Sequence, residues 1–140
     1  MIRIFALPAI ALLLSFAPLP GAQAAETGGT SPAKEVWDRH VAAAMSGDVD
    51  AIMADFAPDA MIITPDATLA GDAIRQFFAD FLADFKPEAM ASLTVNSETA
   101  HGNVMVSNFT IGAWDQTFHD TAVIEDDRIA LLSTVAYPAK

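Results

Sequence analysis

"ASLTVNSETAHGNVMVSNFTIGAWDQTFHDTAVIEDDRIALLSTVAY", residues 91–137, decides the fold. Apolar and polar residues alternate with a period near two, the signature of strands with one buried face. "HGN" at 101–103 and Asp126-Asp127 are turn signals. They divide the stretch into strands over 91–100, 104–112, 113–125 and 128–137. Strands in succession with such short links pair as an antiparallel meander.

Upstream, the period is helical. Ser31 followed by Pro32 is a capping hydroxyl with proline at the first helical position. Val36, Trp37, His40, Val41, Ala44 and Met45 then recur at three- and four-residue spacing. Gly47 stops this helix, and Asp48 caps a second one over "VDAIMADF", with Ile52, Met53 and Phe56 inward. "DAMIITP" at 59–65 predicts a short strand, and "ATLAG" at 67–71 a brief strand or turn. Residues 72–85 form the clearest helix: Ile74, Phe77, Phe78, Phe81, Leu82 and Phe85 fall on one face, and Pro87 ends it. Three helices followed by a long antiparallel sheet make an α+β fold, with the helices on one side of the sheet.

The first residues belong to a different class. "MIRIFALPAIALLLSFAPLPGAQAAE" carries one early positive charge, Arg3, then an apolar run from Ile4 to about Phe16, then Ala22-Gln23-Ala24. This is the pattern of a secretory signal peptide cleaved after Ala24. The apolar run is short for a membrane span, so no stable anchor is expected after cleavage. Residues 1–24 are thus expected to be removed, 25–31 to be a flexible leader, and 32–137 to be the domain, in a periplasmic or secreted setting. The chain has no cysteine, which excludes disulfides and thiolate-bound zinc. It holds 18 Asp and Glu against seven Lys and Arg, a net charge of −11. Such a surface repels nucleic acid and anionic lipid. His40, His101 and His119 show no metal-binding spacing, and no phosphate loop or nucleophile elbow is present.

Three strings carry a resemblance: "HVAAAMSGDVDAIMADFAPDAMI" at 40–62, "LAGDAIRQFF" at 69–78 and "DTAVIEDDRIALLSTV" at 120–135. Together with the element order they resemble the nuclear transport factor 2-like superfamily, in its SnoaL-like and ketosteroid-isomerase-like branch. The likeness covers about residues 32–137. It implies a cystatin-like α-β roll, in which a curved antiparallel sheet wraps around three N-terminal helices as a cone. It also implies a pocket for a small apolar molecule at the open end. Isomerases, cyclases and dehydratases share that fold with binding and assembly domains, so fold alone does not choose among them.

Strand parity separates His119 from Asp120, because successive side chains point to opposite faces. Trp114, Gln116, Phe118, Asp120, Ala122 and Ile124 form the more apolar set and are expected on the concave face. Asp115, Thr117, His119, Thr121, Val123 and Glu125 are expected outside. The resemblance places Asp120 where ketosteroid isomerases carry an oxyanion-hole acid, and His40 where they carry a tyrosine donor. It places Thr64 where they carry the catalytic base, which argues against steroid isomerase chemistry of the usual kind; Asp66 lies two residues on. The expected catalytic residues are therefore His40 and Asp120, with Asp120 orienting the imidazole and His40 acting as acid and base. The expected ligand contacts are Trp37, Phe56, Thr64, Phe78, Phe109, Trp114, Gln116 and Phe118, with Asn108 and Thr134 depending on strand register. Plainer roles stand beside these: Asp120 as a cap or rim ion pair, His40 as a core histidine. No cofactor is expected. Cofactor-free acid–base catalysis, non-catalytic ligand binding, and a homodimer through the outer sheet face are the functions in view.

Overall fold

A computed structural model describes residues 30–140. The expected signal peptide, and all but the last two residues of the expected leader, lie outside the described residues. Helix α1 spans Pro32–Ser46, α2 Val49–Ala54, α3 Asp72–Asp84 and α4 Pro87–Ala91. The strands are β1 Phe56–Ile63, β2 Thr68–Ala70, β3 Leu93–His101, β4 Val104–Ile111, β5 Gln116–Glu125 and β6 Arg128–Pro138. They form one six-stranded sheet in the order β2-β1-β6-β5-β4-β3. It is curved and unclosed, and the helices lie in its hollow.

The local signals act as their chemistry demands. Ser31 Oγ accepts from the Lys34 N–H at 3.2 Å and starts α1. Gly47 ends it in the left-handed region at φ 73°, its N–H returning to the last carbonyls. Asp48 caps α2 through the Ala51 N–H at 3.0 Å. Asp126 and Asp127 both have positive φ and form the two-residue turn between β5 and β6. The core sits between α1, α2, α3 and the concave face, with Val36, Ile52, Ile62, Ile74, Met105 and Ile129 fully buried.

Three details depart from expectation. The sheet is not wholly antiparallel: β1 pairs with β6 in parallel. Helices between β1 and β3 let β6 return beside β1 in the same direction, a pairing invisible to local pattern. A fourth short helix, α4, begins at Pro87, where proline suits the first helical position as well as it ends α3. Phe56 opens β1 rather than closing α2, and remains buried.

At the end of the fold holding the β5–β6 turn, Asp55 is buried and its Oδ1 accepts from Arg39 Nε at 2.5 Å. Arg39 also donates to the Asp127 carbonyl at 3.1 Å. The Ile129 N–H reaches the Asp55 carbonyl at 2.7 Å. One arginine thus ties α1 to the turn and supplies charge to a carboxylate removed from water.

Candidate functional site

The inner face of the sheet is built in rows, because residues paired across strands point the same way. Val95, Phe109, Phe118 and Ala136 make one row. Ala100, Met105, Ala122 and Leu132 make another. Between these two apolar rows runs a polar one: Glu98 on β3, Ser107 on β4, Asp120 on β5 and Thr134 on β6.

A cavity of about 110 Å³ lies against this face. Helix α1 contributes Trp37, His40 and Val41; α3 contributes Phe77, Phe78 and Phe81; the sheet contributes Phe109, Phe118, Glu98, Asp120 and Thr134. The walls are overwhelmingly apolar and aromatic, with a few convergent polar groups, as small-molecule sites are. Phe109 and Phe118 stack with centroids 5.0 Å apart.

His40 is 5% exposed and Asp120 8%. Trp37, Phe56 and Phe78 surround the imidazole, with ring centroids 5.4–5.6 Å away. Burial among these rings lowers the His40 pKa to about 4, against a small opposing pull from Asp55. His40 is therefore neutral at pH 7, with one N–H to donate. Burial raises the Asp120 pKa to about 6, with the Thr134 hydroxyl pulling it back. At pH 7 it is a carboxylate poised close to the ambient pH. His40 Nδ1 and Asp120 Oδ1 are both buried without a hydrogen-bond partner. Buried polar atoms are nearly always paired, so leaving these two without a partner in the protein costs stability.

The expected His40–Asp120 couple is not formed. Both line the cavity, but no ion pair joins them among the described residues. Asp120 does not orient the imidazole; the aromatic rings do.

The expected contacts divide. Trp37, Phe78, Phe109 and Phe118 line the cavity. Phe56 packs behind His40 without lining it. Thr64 is not in the cavity. It stands in the turn before β2, where its hydroxyl accepts from the Ala67 N–H at 3.0 Å and donates to the Ala67 carbonyl at 3.2 Å. Trp114 lies on a 3₁₀ turn, Gly112–Trp114, edge-on to Phe81 and Phe85. Gln116 is exposed, at the strand end opposite Pro138. Thr134 faces inward beside Asp120, whereas Asn108 pairs with His119 on the outer face and bonds to Tyr137 at 3.0 Å. His119 is exposed.

Sequence reasoning missed Glu98. Its Oε1 accepts from the Trp37 indole N–H at 3.2 Å, and its Oε2 pairs with Lys34 at 3.2 Å. A bulge explains the omission: the β3–β4 register shifts between Val95 and Ser97, leaving Asn96 as the extra residue. Val95 and Glu98 then share a face despite odd spacing.

The SnoaL-like domain family matches over residues 33–128, and the chain belongs to that family. No curated protein matches it in sequence. Its fold is shared with a protein from Kribbella flavida DSM 17836 (TM-score 0.64, 17% identity, 79% of this chain and 88% of that one). A steroid delta-isomerase from Pseudomonas aeruginosa is similar too (TM-score 0.62, 19% identity, 76% and 80%). So is a de novo designed protein with a curved β-sheet (TM-score 0.63, 15% identity, 76% and 86%). That a designed chain shares the fold underlines that function must be argued from the site.

Proposed function

We propose that this SnoaL-like domain performs acid–base chemistry on a small apolar carbonyl compound, using side chains alone. The observation that carries the proposal is the placing of two buried titratable side chains, His40 and Asp120, on one aromatic cavity. The Asp120 carboxylate removes a proton from the carbon next to the carbonyl. With a pKa near 6 it suits this work close to neutral pH. The electron pair moves into the carbonyl, and the neutral His40 imidazole donates its N–H to the resulting enolate oxygen. A preorganised donor in a water-poor site is effective there. Asp120 then returns its proton to carbon: at the same position this gives proton exchange alone, and at a conjugated position it completes an isomerisation. The roles differ from those expected: the carboxylate is the base and the imidazole the donor. The base absent at Thr64 is thereby supplied from β5.

Deuterium exchange tests this. Small aromatic and alicyclic ketones in D₂O should exchange α-protons faster with the wild-type protein than without it. Asp120→Asn should abolish the acceleration. Equal exchange with wild type and Asp120→Asn, across the panel, would refute the assignment.

A homodimer through the outer sheet face is part of the same proposal. Met61, Ile63, Val135 and Tyr137, on adjacent β1 and β6, leave 39–43% of their surfaces exposed there. Light scattering should give twice the chain mass, and Val135→Asp should halve it; a strict monomer would count against it. A periplasmic or secreted location is proposed from the N-terminal pattern, tested by the N-terminus of the exported protein, expected at Ala25.

A further inference from the structure

The polar row does not end at Asp120. Glu98 stands on the same inner row two strands away, a Cα separation of about 10 Å at ordinary strand spacing. Its side chain is 22% exposed and lines the cavity. Trp37 and Lys34 hold it from α1, one on each oxygen. A carboxylate has about four acceptor positions. Two are taken, so acceptor capacity remains. Every other side chain on that side of the cavity is apolar: Leu93, Val95 and Phe109.

We propose that Glu98 is a specificity residue, which selects ligands carrying a hydrogen-bond donor at the end opposite their carbonyl. This rests on the carbonyl being held at His40 and Asp120, as above. An engineered cavity of about 150 Å³ accommodates benzene, so a cavity of about 110 Å³ encloses one ring at most. The ligand class is then a single-ring carbonyl compound with a hydroxyl group across the ring, the rest of the molecule emerging at the mouth. A ligand without the hydroxyl leaves a desolvated carboxylate facing an apolar group, which is costly. Sites built to receive a hydroxyl reject the analogue that lacks it far more strongly than apolar sites reject small size changes.

The test uses a matched pair of probes, 4-hydroxyacetophenone and 4-methylacetophenone, which differ in little but the donor. Binding is followed by two-dimensional nitrogen–proton NMR. The Trp37 indole N–H serves as reporter because it is itself bonded to Glu98. The wild type should bind the hydroxyl probe at least tenfold more tightly and shift the Trp37 signal. Glu98→Met should bring the two affinities within threefold, by weakening the hydroxyl probe and strengthening the methyl probe. Glu98→Gln keeps an acceptor and the side-chain shape; it should reduce the preference at least threefold and covers the case in which the Met variant does not fold. A preference that survives in the Glu98 variants, or vanishes in Asp120→Asn instead, overturns the proposal while leaving the carbonyl site standing. Equal wild-type affinity for both probes also overturns it alone. If neither probe binds, the proposed function falls and this assignment with it.

Discussion

Replacing Asp120 with asparagine should alter how stability depends on pH, in a direction fixed by the cavity. The carboxyl has an ordinary pKa of 3.8, raised in the fold to about 6. It contributes stability fully present below 3.8 and lost as the pH rises through 6. From pH 5 to pH 8 that loss is about 1.4 kcal/mol. His40 runs the other way. Its pKa falls from 6.5 to about 4, so its contribution is present above 6.5 and is lost as the pH drops through 4. From pH 8 to pH 5 that loss is about 2 kcal/mol. In the wild type the two nearly cancel. Asp120→Asn removes one and exposes the other. The cost of an unpaired asparagine amide does not depend on pH, so it drops out of the comparison. The stability of the variant relative to wild type should therefore improve by about 1.4 kcal/mol between pH 5 and pH 8. Urea unfolding followed by circular dichroism measures this, and pH 5 stays clear of the isoelectric point near 4.3. A relative stability that is flat across the range, or that improves toward pH 5, would refute burial as the cause of the raised pKa.

Other perturbations separate site from scaffold. His40→Phe fits among Trp37, Phe56 and Phe78 and removes a buried unpaired nitrogen; the fold should persist while the proposed turnover falls about 100-fold, read as kcat against unfolding midpoint. Arg39→Ala leaves the buried Asp55 carboxylate without its cation and should cost about 2 kcal/mol in urea unfolding, with the proposed α-proton exchange retained. Ser31→Ala removes the α1 cap and should cost about 1 kcal/mol by the same measurement.

Much of this architecture is legible in local pattern, and the exceptions have physical reasons. Caps and period changes announce α1, α2, α3 and the late strands, because each is a property of a few adjacent residues. Parity alone parts Asp120 from His119, and the cross-strand register agrees. The parallel β1–β6 contact is set by where the whole chain goes and leaves no local mark. Trp114 and Gln116 share the parity of Phe118, yet the strand has only begun at Gln116 and a 3₁₀ turn carries Trp114. Thr64 sits where the cavity-facing base would be by resemblance, but its hydroxyl is engaged in closing a turn. The perturbed chemistry of His40 and Asp120 depends on what surrounds them, which strand alternation does not disclose.

The extra residue at Asn96 has a wider consequence. A strand with one residue too many holds two phasings of the same side chains. With the irregularity before Ser97, a carboxylate faces the hollow; moved a few residues later, Ser97 would face it and Glu98 would meet water. A lineage can therefore exchange an acid for a hydroxyl in this hollow by moving the bulge along β3, with the chain length and every lining position on the other strands untouched. Comparing relatives column by column would record no difference at all, although the chemistry of the hollow had changed.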